Sequence, residues 1–408
     1  MTTSTWLSLD EALARIKAKF PTVKQTTLCH IDTCLGRITA QDIVAPVSVP
    51  PRAVSAMDGY AINTSAGKQN SCLPVVTTIF AGMDATDVTL EPGHAARIMT
   101  GAPVPMGADA VVMQENTTQR ENTVCITQWP DRGENIRPQG NDIFQGDIIV
   151  EKGTRLQASH LMLLASVGMR ECPVTAALKV AVLATGDELI TPGTPLEAGQ
   201  IYNANSVGVK ALLHPYQADI TDLGICVDDP AKLRDTLLTA SKQFDILISS
   251  GGVSVGDADY VKDILDEIGE VDFWKVAIKP GKPFAFGQIG KCVFCGLPGN
   301  PVSAYVTTEK LVTPLIAMMQ GEQRSLNDLT GLAVLGSSIR RRPGRQEFLR
   351  ARLEINQDGG WHVTPLAKQS SGVMSTVTQA NAYIVVPAET AFIESGTQVQ
   401  VSPFRSVN

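Results

Sequence analysis

Between residues 178 and 326 the chain alternates apolar runs that end in glycine with stretches of helical spacing, a pattern few architectures accept. The runs are LKVAVLATG (178–186), FDILISSGG (244–252) and KCVFCGLPGNP (291–301). Apolar on both faces, they read as parallel strands buried beneath helices. A further strand is expected near 220–227. Helices are expected after Asn205, near 231–241 and 260–268, and over 302–319, with Pro314 kinking or splitting the last. The result is an open α/β sheet with its loops gathered at the carboxyl ends of the strands.

The flanking regions differ in texture, so the expected fold class is multidomain α/β plus β. Residues 1–50 and 140–177 read as a linker domain, 51–139 as a β-rich lobe, 178–326 as the α/β domain and 327–408 as a small β barrel. The first helix carries a capping box, Ser8 with Glu11, and sets Leu13, Ile16 and Phe20 on one face. No apolar stretch approaches the ~20 residues a bilayer requires. The N-terminus lacks a signal pattern, and a cytoplasmic location is expected.

Charge narrows the function. With 34 Lys and Arg against 41 Asp and Glu, the net charge is −7, the wrong sign for a general nucleic-acid or membrane-surface binder. Aromatics are 5%, too few for base-stacking platforms to dominate. An anionic ligand therefore needs a local basic site. The 8 cysteines are scattered, as suits reduced structural thiols. Cys292-Val-Phe-Cys295 lies in a strand-like run, where residues three apart point to opposite faces. The 5 histidines show no zinc spacing.

Three loops carry the chemistry: ATGDEL (184–189), SSGGVSVGDADY (249–260) and GLPGNPVSA (296–304). Glycines admit close backbone approach, so Ser249, Ser250, Gly251, Gly252 and Ser254 suit a phosphate. Asp187, Glu188, Asp228, Asp229, Asp257 and Asp259 thread the same loops. Carboxylates beside phosphates point to magnesium (Mg2+), held by Glu188, Asp228 and Asp259, while Asp229 is expected to cap a helix. The cationic counterpart is Lys275 and Lys279 in WKVAIKPGKP. Farther on, Arg350-Ala-Arg352 fits a strand with one solvated face.

Together these segments closely resemble the molybdopterin molybdenumtransferase family, that of MoeA and the gephyrin E-domain. SAMDGYA, RIMTGAPVP with GADAVV, TGDEL, GQIY, SSGGVS, IKPGKP and GLPGNPVS occur in the family's order along essentially the whole chain. The resemblance implies a MogA-like α/β domain and the last step of molybdenum cofactor synthesis. Molybdate enters the dithiolene of adenylylated molybdopterin, magnesium assists and AMP is released. It also implies a homodimer whose site lies between the α/β unit of one subunit and the SAMDGYA-bearing lobe of the other. The molybdopterin adenylyltransferase and molybdoenzyme maturation factors follow as partners.

By the same resemblance, Asp58, Thr100, Asp142, Glu188 and Asp259 are catalytic positions. Arg137, Ser250, Gly251, Gly252, Lys275, Lys279, Pro298, Asn300, Pro301, Ser303, Arg350 and Ser371 bind substrate. A non-catalytic scaffold of the same fold is the alternative. Three places depart from the usual pattern: Arg52-Ala53-Val54, Asn141 and Ser370, where relatives carry Phe-Asp-Asn, Glu and Gly.

Overall fold

The computed structural model describes residues 6–19, 25–252, 260–323, 330–357 and 359–404. The described strands and helices between Lys179 and Met319 build an α/β unit of the expected kind. Its sheet runs Asp219–Cys226, Lys179–Thr185, Ile246–Ser250, Cys292–Leu297, Pro283–Ile289, Glu270–Lys275. The first four strands are parallel. The last two are antiparallel additions that the sequence reading had not separated from the lysine-bearing loop.

Side-chain alternation builds two cores. Val180, Val182, Ile246, Ile248 and Cys295 point to the face covered by the helices Leu9–Lys19, Ala204–Leu213 and the 301–319 run. Ala181, Leu183, Leu247, Phe294 and Cys292 point to the face covered by Pro230–Ser241 and Tyr260–Ile268. Cys292 and Cys295 thus enter different cores, as expected, and burial pushes the Cys292 thiol up to about 12. The Ser8–Glu11 capping box is present, with Glu11 accepting from the Ser8 N–H at 2.8 Å.

Pro314 does not split the last helix. Pro301–Thr307 and Thr313–Met319 are joined by a π-helical turn, Thr308–Val312, whose wider winding accommodates the missing N–H and the ring.

The lobe holds a six-stranded sheet in the order Ala110–Met113, Gly59–Ile62, Ala95–Ile98, Cys72–Ile79, Thr123–Ile126, Thr117–Arg120. It corrects the expectation of reduced cysteines throughout. Cys72 and Cys125 form a disulfide across an antiparallel ladder that sets them directly opposite, though 53 residues apart in sequence. Six free cysteines remain.

The C-terminal strands Gln346–Ile355, Trp361–Pro365, Gly331–Leu335, Gln398–Pro403 and Ala382–Val386 close into a five-stranded barrel, since the last pairs again with the first. A short helix, Ser375–Gln379, interrupts the expected run of strands and turns. The two-residue strand Ile278–Lys279 leaves the α/β unit to pair in parallel with Gln346–Ile355. Among the described residues no helix is long and apolar enough to cross a membrane.

Arg155 clamps residues near the N-terminus to the α/β unit. It donates twice to Glu322, at 2.7 and 3.2 Å, once to the Gly36 carbonyl at 2.7 Å, and stacks over Tyr216. Glu322 is 4% exposed, so removing its charge strands a largely buried cation. Glu322→Ala is expected to destabilise the protein by about 3 kcal/mol, read from the denaturant midpoint against wild type.

Candidate functional site

Parallel pairing brings the three loops side by side. Ala184 is in register with Ser250, and Ser250 with Leu297, so the chain leaves all three strands at one sheet edge. Asn205, one residue into its helix, ties two of them together. Its amide donates to Ser250 Oγ at 2.9 Å and to the Gly299 carbonyl at 2.8 Å. The sequence reading used Asn205 only to mark a helix start.

Glycine is required at this edge. Gly251 has φ +94°, and a Cβ there would stand 2.5 Å from the Thr185 carbonyl oxygen. At Gly252 a Cβ would stand 2.5 Å from Val261. Thr185 also went unnoticed in the sequence. Its hydroxyl is buried beside both glycines and has no hydrogen-bond partner among the described residues.

Asp187, Glu188 and Asp228 form an acidic group at the same edge. The Asp228 N–H donates to Asp187 Oδ1 at 3.0 Å. Burial raises the Asp228 carboxyl above its ordinary range; a backbone hydrogen bond from Asp187 opposes this, and repulsion from Asp187 and Glu188 adds to it. Asp229 caps its helix, accepting from the Lys232 N–H at 3.0 Å, as expected. Asp259, with Ser254 and Asp257, lies outside the described residues.

A second set gathers where the barrel meets the 301–319 helix. Pro298 and Ser303 are buried, and Asn300 and Pro301 begin the helix. The Val302 N–H donates to the Ser371 carbonyl at 3.1 Å, drawing the 369–371 loop against it. Arg350 departs from the solvated face expected for it. Arg352 is exposed, but Arg350 is only 1% exposed because that loop and the adjoining helix cover it. Its guanidinium donates to Thr376 Oγ1 and to the Ser370 carbonyl, both at 3.2 Å. Because the carbonyl is the acceptor, serine in place of glycine at 370 keeps this contact. No carboxylate pairs with Arg350 among the described residues, so a buried cation is left for an anion.

Lys275 is half-buried and has no ion-pair partner among the described residues. Lys279 pairs with Glu347 at 2.7 Å. The lysine tract is held from its other side by Leu7, whose carbonyl accepts from the Ala277 N–H at 2.7 Å.

The lobe holds a separate cluster. Asp58 Oδ1 accepts from the Thr100 N–H at 2.7 Å and its hydroxyl at 2.8 Å. These two bonds hold the Asp58 carboxyl below the ordinary carboxylate range. Arg137 pairs with Val54, and the Asp142 N–H donates to the Val49 carbonyl. Arg52 lies 3.5 Å from Asp84. Among the described residues, no hydrogen bond or ion pair links Asp58, Thr100, Arg137 or Asp142 to the sheet-edge groups.

Three family models match in succession: the MoeA N-terminal region (domain I and II) over residues 7–168, a probable molybdopterin binding domain over 181–318, and the MoeA C-terminal region (domain IV) over 333–404. The chain is 41% identical to the molybdopterin molybdenumtransferase of Haemophilus influenzae over 399 residues, 98% of each chain. The chain belongs to the MoeA family of molybdopterin molybdenumtransferases. It is also 37% identical to molybdopterin molybdenumtransferase 2 of Mycobacterium tuberculosis, over 90% of this chain and 92% of that one. A crystal structure of the molybdopterin biosynthesis MoeA protein from Pyrococcus horikoshii superposes with a TM-score of 0.82 at 30% identity, covering 98% of this chain and all of the other.

In this MoeA-family chain the acidic group would need a ligand's oxygens to complete the shell of a hard cation. No group of three or more His, Cys, Asp or Glu among the described residues is arranged to hold a metal by itself. Magnesium takes one or two carboxylates plus phosphate oxygens, a shell of which Glu188 and Asp228 would supply only the carboxylate part.

The raised Asp228 carboxyl has a consequence for stability. A group that holds its proton more tightly in the fold costs stability as pH climbs from its unfolded towards its folded value, and the cost persists above. Asp228→Asn removes it. The variant's unfolding temperature at neutral pH is expected to equal or exceed wild type, the difference vanishing in acid. A drop at neutral pH would identify Asp228 as a structural support instead.

Proposed function

We propose that this chain transfers molybdenum to molybdopterin in molybdenum cofactor biosynthesis, acting on the adenylylated pterin and molybdate. The observation that carries the reading is the meeting of glycine loops, paired carboxylates and a buried unpaired arginine around one sheet edge and its junction with the barrel. Each component of the substrate is an anion, so an acidic chain needs such a local cradle.

In this reading Ser250, Gly251 and Gly252 take the phosphates. Arg350 and Lys279 hold a tetrahedral oxyanion, with Lys275, Ser303 and Ser371 completing its shell. Asn205 keeps the second and third loops at a fixed spacing. Glu188 and Asp228 hold magnesium, which supplies charge neutralisation at the phosphoanhydride. Water would replace AMP at the phosphoanhydride, releasing it, while the two dithiolene thiols displace one molybdate oxygen, which leaves as water with their protons.

The homodimer expected from the resemblance is kept as part of the proposal. It accounts for a lobe whose Asp58, Thr100, Arg137 and Asp142 make, among the described residues, no polar link to the sheet edge of their own chain. Exposed Leu28, Phe144 and Met162 offer apolar surface for such an interface. A molybdopterin adenylyltransferase upstream and maturation factors downstream are the matching partners. A non-catalytic scaffold is not favoured, because relatives 34–41% identical over nearly their full length are named molybdopterin molybdenumtransferases.

Purified protein incubated with adenylylated molybdopterin, Mg2+ and molybdate is expected to release AMP only when all three are present. Glu188→Gln should slow release about a hundredfold while leaving the unfolding temperature within a few degrees of wild type. Absence of AMP release from the wild-type protein would sink the proposal. We also place the chain in the cytoplasm. Fractionation of cells should then recover the chain with the cytosolic proteins, and its recovery in another fraction would speak against that location.

A further inference from the structure

We propose that Glu347 is a positioning residue for Lys279, supplied by the barrel to fix an ammonium of the α/β unit; the inference rests on Lys279 binding substrate. The backbone sets the pair up. Lys279 and Glu347 are register partners in a parallel ladder, so their side chains emerge on the same face of adjacent strands. Glu347 Oε1 lies 2.7 Å from Lys279 Nζ.

The carboxylate has a second cation behind it. Glu347 is 4% exposed, and its Oε2 lies 3.0 Å from Nε of Arg341, itself 6% exposed, an ion pair in which neither atom has a hydrogen-bond partner among the described residues. Arg341 cannot swing away, because its terminal nitrogens donate to the carbonyls of Pro387, Arg342 and Arg345 at 2.9, 3.2 and 2.6 Å. Arg345 in turn donates to the Ile278 carbonyl at 3.3 Å, holding the residue before Lys279. Each Glu347 oxygen thus has one cation.

The asymmetry of exposure separates this from an ordinary structural ion pair. Glu347 and Arg341 are buried, whereas Lys279 is 46% exposed. An ammonium has three donors, and one directed at Glu347 leaves the others for a ligand. Two cations around one carboxylate leave one net positive charge, so the cluster still attracts an anion. Such a buried partner orients a binding group without touching the ligand.

The test compares wild type with Glu347→Gln, Glu347→Asp, Lys279→Ala and the Glu347→Gln/Lys279→Ala double variant. AMP release is followed against molybdate concentration, alongside thermal unfolding. Glu347→Gln is expected to raise the KM for molybdate about tenfold or more, with a smaller change in kcat, and Glu347→Asp to recover part of the loss. The double variant should be no worse than Lys279→Ala alone, since both changes remove one device. If Glu347→Gln lowers the unfolding temperature, this non-additivity still decides, and additive losses overturn the inference. A normal molybdate KM in Glu347→Gln with an impaired Lys279→Ala overturns it while sparing the substrate role of Lys279. An unimpaired Lys279→Ala removes both.

Discussion

The site depends on one backbone constraint: parallel hydrogen bonding in register among Lys179–Thr185, Ile246–Ser250 and Cys292–Leu297. Parallel strands enter from one end and leave from the other, so three turns far apart in sequence become neighbours. Both faces of those strands are buried, and a slip of one residue would exchange the two cores. The same burial that stabilises the sheet therefore fixes the spacing of the loops. Asn205 then holds that spacing with two hydrogen bonds across the gap.

The second constraint is the seam between the α/β unit and the barrel. Along Gln346–Ile355, Leu349, Ala351 and Leu353 face the barrel interior, while Phe348 packs into the α/β core. A strand shared in this way has no solvated face over part of its length. Polar residues placed there must find partners. Arg350 finds backbone and hydroxyl acceptors, and Glu347 finds two cations. Buried charge thus collects along the seam, where the sequence would ordinarily place apolar side chains.

Much of this was legible before the structure. The parallel strands announced themselves because burial on both faces leaves continuous apolar runs, and the glycine turns because close approach excludes a Cβ. The antiparallel strands at the sheet edge were hidden by Pro280, Gly281 and Pro283, which read as turn chemistry. Arg350 was misjudged because an alternating Arg-Ala-Arg pattern reports the strand period but not what packs against each face. Thr185 and Asn205 escaped because their roles come from neighbours in space. The disulfide escaped for the same reason: a ladder, not a spacing, joins Cys72 to Cys125.

The pairing of Ile278–Lys279 with the barrel bears on how such a chain is assembled from modules. A unit that lends two residues to its neighbour's ladder cannot be grafted elsewhere intact. Its cation would arrive without the carboxylate that aims it, however well the remaining sheet folded.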